Sequence, residues 1–224
     1  MSRSRFLICG LGNFGTYLAR KLFENGQEVV AIDINEKRVG DAKDYVSEAV
    51  VADVSQREAL EQLGLDKIDA AVISLGEARI DASILATLYL RDLGIKRIIV
   101  KTISTDHARI VEKIGATEVI FPEKEAALRL ADRLSNPNVF EQITLHEGYA
   151  LVEMMAPKEL RDKTLMEAGI RSKYGITVVW INRKAPNGKE VSIVPRPEDR
   201  ILEGDVLFVL GEEKAIEEFK KLRS

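Results

Sequence analysis

The run Gly10-Leu11-Gly12-Asn13-Phe14-Gly15 directly follows the apolar stretch Arg5–Cys9 and opens a helical pattern. In that context each glycine has a separate task. The first makes a tight turn, the second lets backbone approach a pyrophosphate, and the third lets the helix pack closely on its strand. The first turn of such a helix offers unpaired N–H groups and the positive end of its dipole to phosphates. Asp33 stands 18 residues beyond Gly15, at the predicted carboxyl end of the second strand. That is close to the spacing of an acid that accepts ribose hydroxyls. A carboxylate there repels a 2′-phosphate, so unphosphorylated adenosine ligands are favoured over NADP. Asp53, after the third predicted strand, and Ser74-Leu75-Gly76, after the fourth, fall on the same edge, where doubly wound sheets place ligands.

Reactive groups are sparse around this motif. A dehydrogenase needs a proton donor or acceptor poised over the nicotinamide. His107 lies in Ser104-Thr105-Asp106-His107, which reads as a helix N-cap, and His146 lies at the expected domain boundary without an obvious partner. Tyr89 begins Tyr-Leu-Arg-Asp, not a Tyr-x-x-x-Lys dyad, and reads as helix packing. Cys9 falls inside the first strand, where burial makes it a small hydrophobe rather than a nucleophile. No Ser-His-Asp arrangement is visible. The residues describe a nucleotide site without a reaction.

The elements that must position the motif alternate. Strands are predicted at Arg5–Cys9, Glu28–Asp33, Glu48–Val51, Ala70–Ser74, Arg97–Lys101 and Glu118–Phe121, with helices between them. Phe14, Leu18, Ala19, Leu22 and Phe23 share one helix face, and Ile80, Ile84, Leu85 and Leu88 share another. This is the pattern of a Rossmann-like, doubly wound parallel sheet. A helix is predicted over 122–134, with proline in its first turn. Ser135-Asn136-Pro137-Asn138 then marks a boundary, and 139–145 is read as a connecting helix. Beyond it the pattern predicts a smaller α+β domain of βαβββα order: strand 149–155, helix 160–169, strands 177–182, 191–194 and 205–210, and helix 212–222. The expected division is 1–135 for a nucleotide-binding domain, 136–146 for the connection and 147–224 for a second ligand-binding domain.

Composition bounds the function classes. Of 224 residues, 46% are hydrophobic and 31% charged, enough for packed cores. The 33 basic residues are interleaved with 36 acidic ones for a net charge of −3, so no basic stripe exists for nucleic acid. One cysteine and two histidines exclude an internal disulfide and a His-rich metal site. No apolar run is long enough to span a bilayer and none has the form of a signal peptide, which predicts a cytoplasmic protein.

The residues also resemble a family: the regulatory subunits of Ktr/Trk potassium uptake systems, of the KtrA/TrkA type. These join an RCK (regulator of conductance of potassium) N-terminal domain to an RCK C-terminal domain. The resemblance rests on Phe6-Leu7-Ile8-Cys9-Gly10-Leu11-Gly12, Asp33-Ile34-Asn35, Ala82-Ser83-Ile84-Leu85, Glu112-Lys113-Ile114-Gly115-Ala116 with Pro122-Glu123-Lys124, and Ile170-Arg171-Ser172-Lys173-Tyr174-Gly175. It implies ATP, ADP or NAD(H) as ligand, a homodimer assembling into an octameric ring, and an integral membrane potassium-conducting partner. Carried over by position, Gly10, Gly12 and Gly15 would hold the phosphates and Asp33 the ribose, with Asn13 and Phe14 in the same cofactor site. Ile34, Asp53 and Val54 would surround the adenosine, with Gly76 and Lys101 lining the pocket. Glu123 resembles a carboxylate that approaches a nucleotide-associated divalent cation. Ile170, Arg171 and Pro197 match positions near a cyclic di-AMP site. Relatives commonly carry arginine where this chain has Asn13, and asparagine offers no charged bidentate contact to a terminal phosphate. ATP and ADP affinities within about tenfold of one another are therefore expected.

The resemblance points to a gating subunit that is not an enzyme. The rival expectations are an NAD-dependent oxidoreductase with a C-terminal substrate domain, and a stand-alone cyclic di-AMP or redox sensor.

Overall fold

The computed structural model describes residues 3–145, 148–185 and 188–222; His146 lies outside them. The chain forms two compact units, Met1–Pro122 and Glu123–Ser224.

The first unit runs β1 (Arg5–Cys9), α1 (Asn13–Glu24), β2 (Glu28–Asp33), α2 (Glu36–Ala42), β3 (Glu48–Val51), α3 (Arg57–Glu61), β4 (Ala70–Ile73), α4 (Ile80–Asp92), β5 (Ile98–Lys101), α5 (Thr105–Ile114) and β6 (Glu118–Ile120). The six strands are parallel in the order β3-β2-β1-β4-β5-β6. The alternation of side chains along each strand splits the core in two. Leu7, Cys9, Val30 and Ile32 pack on one face with Leu60, Leu90 and Val111. Ile8, Val29 and Ala31 pack on the other with Ala19 and Val39. Because both faces are covered, the strands read as continuous apolar runs rather than alternating ones.

Three of the six strands agree with the sequence reading to the residue, and the others differ by one residue at one end. α1 also turns its expected face inward, with Ala19 buried and Phe14, Leu18, Leu22 and Phe23 packed against the core. α4 departs from expectation. Its fully buried positions are Ala82, Ser83, Ala86, Thr87 and Leu90, while Ile80, Ile84, Leu85 and Leu88 stay half-buried. The small residues let the helix axis lie close to its neighbours, and the bulky aliphatics flank that contact.

In the second unit α6 (Pro122–Ser135, its first residue in the first unit) precedes β7 (Val139–Thr144), β8 (Tyr149–Met155), α7 (Leu165–Ala168), α8 (Ile170–Tyr174), β9 (Thr177–Lys184), β10 (Glu190–Ile193), β11 (Val206–Glu212) and α9 (Glu213–Lys220). The five strands form an antiparallel sheet in the order β10-β9-β11-β8-β7. The expected connecting helix over 139–145 is therefore wrong. That segment is an edge strand paired with β8 from Val139↔Met154 to Thr144↔Ala150, and it satisfies a β8 edge that a helix would leave bare. The expected helix over 160–169 is also shorter. Asp162 takes φ 60°, and Thr164 begins α7 with a capping box, accepting from the Glu167 N–H at 3.1 Å while Glu167 accepts from the Thr164 N–H at 2.8 Å.

One feature of this unit has no local sequence signal. Asp205 is fully buried and accepts from Arg183 Nε and Nη2, each at 2.7 Å, and from the Leu202 N–H at 2.8 Å. The bidentate bond to Asp205 raises the Arg183 pKa above its ordinary value. The ion pair ties β9 to the turn that leads into β11.

Candidate functional site

Every strand of the first unit ends at the same edge, and the chain reverses its direction of sheet-building between β1 and β4. That is the position at which open α/β sheets leave a crevice. The glycine motif sits there. Gly10 takes φ +103°, and a Cβ on it would stand 2.5 Å from the Ser74 carbonyl oxygen, so only glycine closes this turn against the loop after β4. A Cβ on Gly15 would stand 1.9 Å from the Gly10 carbonyl oxygen, so the third glycine lets α1 start against β1.

Gly12 is different. A Cβ there meets nothing within 4 Å, so the fold itself makes no demand for glycine. Gly12 is also the N-cap of α1, with no side-chain cap and no acidic residue in the first turn. The first-turn N–H groups therefore have no intrahelical acceptor and face open space beside Gly12. Room for backbone approach and uncapped donors at one place fit a phosphate or pyrophosphate.

Asp33 ends β2 and is only 6% exposed. Its Oδ2 accepts from the Leu11 N–H at 2.7 Å, its Oδ1 accepts from the Asn35 N–H at 2.8 Å, and Arg38 Nη1 lies 3.5 Å from Oδ2. The carboxylate thus braces the glycine loop. With about four acceptor positions on a carboxylate and two used by backbone, it retains lone pairs for a hydroxyl. Ile34 beside it is 57% exposed, an apolar surface at the ribose end of the edge.

Asp53 lies two residues beyond β3. Its Oδ1 accepts from the Ser55 N–H at 2.9 Å, the Ser55 hydroxyl at 2.8 Å and Arg79 Nη2 at 2.6 Å. Partial burial pushes its pKa up, but the Ser55 and Arg79 donors together outweigh this and hold the carboxyl below its usual range. The Val54 side chain is 4% exposed and packed in the core, so only its backbone reaches this edge. The hydrophobic side chain following Asp53 points into the sheet–helix layer, where it gains more by burial than at a polar edge. Phe14 is half-buried against the core, Asn13 and Gly76 are exposed at the edge, and Lys101 ends β5 half-buried.

The structure therefore brings Gly10, Gly12, Asn13, Gly15, Asp33, Ile34, Asp53 and Gly76 to one edge. Sequence reasoning missed Arg38 and Arg79. The first follows Asn35, which caps α2 by accepting from the Arg38 N–H, and so had a local signal. The second meets a partner 26 residues away and had none.

The non-motif candidates are also placed. Ser104 caps α5, accepting from the His107 N–H at 3.1 Å, as expected. The His107 ring is 4% exposed with no hydrogen bond to either nitrogen, and burial lowers its pKa. Burial pushes the Cys9 thiol up to about 12, which removes it as a nucleophile. Glu123 is exposed in the first turn of α6, and no group of three or more His, Cys, Asp or Glu residues gathers as a metal site among the described residues. In the second unit, Ile170, Arg171 and Pro197 line one cavity of about 320 Å³ together with Leu165, Met166 and Ile176. Among the described residues no helix is long and apolar enough to cross a membrane.

Sheet order, glycine loop and switch point define a Rossmann-like domain, here followed by a small antiparallel domain. Comparison with known proteins is specific about the combination. The TrkA-N domain family matches residues 6–122 and the TrkA-C domain family residues 149–224. The chain is 36% identical over 220 residues to Ktr system potassium uptake protein A of Bacillus subtilis (strain 168), and 38% identical over 219 residues to Ktr system potassium uptake protein C of the same organism. Each alignment covers 98% of this chain and 97% of the relative. Among solved structures, the GsuK RCK domain aligns with a TM-score of 0.54 and the GsuK channel bound to NAD with 0.56, both at 23% identity. Those alignments cover 98% and 99% of this chain but 46% and 39% of the longer GsuK chains, and they establish the fold. The chain belongs to the TrkA-N/TrkA-C family that includes the Ktr system potassium uptake proteins.

Proposed function

We propose that this chain is a regulatory subunit of a potassium uptake channel or transporter, working in the cytoplasm at the inner face of the membrane and not as an enzyme. The observation that carries the reading is identity of 36–38% to two Ktr system potassium uptake proteins along almost the whole of both chains. Site geometry supports a nucleotide as the input: ATP, ADP or NAD(H) lies along the strand edge, phosphates at Gly12 and ribose at Asp33. The first unit serves as the nucleotide-binding domain and the second, whose sheet includes β7, as the second ligand domain.

The chain acts as a homodimer assembled into an octameric ring beneath an integral membrane potassium-conducting subunit. Nucleotide exchange shifts the ring between shapes in proportion to its differential affinity for them, and the pore follows. In the second domain the cavity at Ile170, Arg171 and Pro197 takes cyclic di-AMP, its apolar walls suited to bases and Arg171 to phosphate. Glu123 contacts a nucleotide-associated divalent cation. A hydride-transfer role is disfavoured because the His107 ring is buried and so closed to a substrate.

The test is the purified full chain, analysed by mass spectrometry for retained nucleotide and by light scattering for mass. An adenine nucleotide in an octamer is expected; a nucleotide-free monomer that also fails to bind added nucleotide overturns the proposal.

A further inference from the structure

The Arg79–Asp53 pair is not explained by the fold. Both side chains are about 30% exposed, and ion pairs in such settings contribute little to stability. Its location is unusual. Asp53 follows β3 and Arg79 follows β4, two strands with β2 and β1 between them. Three interstrand steps separate β3 from β4 by roughly 14 Å. A 2.6 Å hydrogen bond between their following segments therefore links the loops on either side of β2 and β1, the strands whose carboxyl ends carry Asp33 and the glycine turn.

Each abutment of this bridge is fixed. On the β3 side, the Ala52 N–H donates to the Asp33 carbonyl at 3.2 Å, and Ser55 gives two hydrogen bonds to the same Asp53 oxygen that Arg79 uses. On the β4 side, the Ser74 N–H donates to the Cys9 carbonyl at 2.7 Å, and the Arg79 N–H closes its own turn on Gly76 at 2.9 Å. Arg79 carries five donors and commits one of them to Asp53. The remaining donors of this planar cation are held next to Asp53, which lies beyond β3.

We infer that Arg79 and Asp53 form a clasp over the base and ribose half of a bound adenine nucleotide, Arg79 contacting the ligand and Asp53 positioning Arg79. The inference rests on the nucleotide reading of the edge given above. The anchoring point decides which half is covered. Phosphates belong at Gly12, at the start of α1, whereas the guanidinium is bonded to Asp53, whose neighbour Ala52 is tied to Asp33, the residue on the ribose side of the edge. Purines stack on guanidinium planes, a contact indifferent to phosphate number. Lysine has no such plane.

Calorimetric titration of the full chain, freed of retained nucleotide, with adenosine, AMP, ADP, ATP and NAD distinguishes the outcomes. The variants are Arg79→Met, Arg79→Lys and Asp53→Asn, each checked for a thermal midpoint near that of the unaltered protein. Arg79→Met is expected to weaken all measurable ligands by one common factor of about tenfold or more. Arg79→Lys is expected to weaken them nearly as much although it keeps the charge, and it serves alone if the methionine variant does not fold. Asp53→Asn is expected to weaken binding in the presence of Arg79 and to add little in combination with Arg79→Met, which separates positioning from direct contact. Unchanged affinities in the Arg79 variants, or a loss that grows with phosphate number from AMP to ATP, overturn the clasp and leave the nucleotide site standing. Failure of the unaltered chain to bind any of the five ligands overturns the nucleotide reading, and the clasp with it.

Discussion

Gly12 and Gly15 are three residues apart in one motif, yet the structure predicts opposite consequences for adding a methyl group to each. In Gly15→Ala the new Cβ falls 1.9 Å from the Gly10 carbonyl oxygen and 3.5 Å from Ile8 Cγ2. That is about 1.5 Å short of ordinary contact, and the neighbour is backbone, which cannot rotate away. Either α1 lifts from β1 or the Gly10 turn opens, so the loss sits at or above the upper end of overpacking effects, ~3 kcal/mol. For a unit of this size it lowers the thermal midpoint by roughly 10 °C.

In Gly12→Ala the methyl enters space with no neighbour within 4 Å, at φ −68°, which alanine adopts freely. A small loss from a poorer N-cap is offset by the reduced freedom of the unfolded chain, leaving stability within about 1 kcal/mol of the original. Binding is where Gly12→Ala acts: the methyl stands beside the uncapped N–H groups of α1, and nucleotide affinity is expected to fall at least tenfold, ~1.4 kcal/mol. Differential scanning calorimetry and titration on the two variants check both halves. A stable Gly15→Ala would refute the contact argument, and a Gly12→Ala that binds nucleotide as before would mean that the open space beside α1 is not where phosphate sits.

Two further outcomes follow from buried polar groups. Asp205→Ala leaves the partly exposed Arg183 without its bidentate partner and the Leu202 N–H without its acceptor, and should destabilise by about 2–3 kcal/mol in denaturant unfolding; the Asp205→Leu/Arg183→Met double variant should lose less than Asp205→Ala alone, and an equal or greater loss would refute the origin in unpaired polar groups. The buried His107 ring favours its neutral form in the native state, while the unfolded chain takes up a proton near its ordinary pKa of ~6.5. The contribution of His107 to stability is therefore full above that pH and is lost as pH falls through and below it. His107→Leu should flatten the difference in thermal midpoint between pH 7.5 and 5.5, and parallel pH profiles for the two proteins would count against the assignment.

Much of the first unit was legible because its signals are local. Arg5–Cys9, Glu28–Asp33 and Ala70–Ile73 are short apolar runs bounded by helical patterns, and such runs have few ways to be buried other than as central parallel strands. The glycine spacing likewise specifies a turn and a helix start within a few residues. Misreadings came where packing against a neighbouring element, rather than a segment's own pattern, decided the outcome. Val139–Thr144 has no strong periodicity of its own and becomes a strand because β8 offers an edge. α4 buries Ala82 and Ala86 more fully than Ile80, Ile84, Leu85 and Leu88 because the small residues allow close approach to its neighbours.

The site divides in the same way. Sequence alone determined the glycine turn and the acid at the end of β2, since both follow from residue type at short spacing along one strand–helix–strand unit. Tertiary structure decided that Asp33 braces the glycine loop through the Leu11 N–H, that Val54 belongs to the core, that Ile170, Arg171 and Pro197 share one cavity, and that Arg79 reaches Asp53. Each of these depends on which loops the sheet order brings together, and sheet order is set by the packing of the whole unit rather than by any one segment.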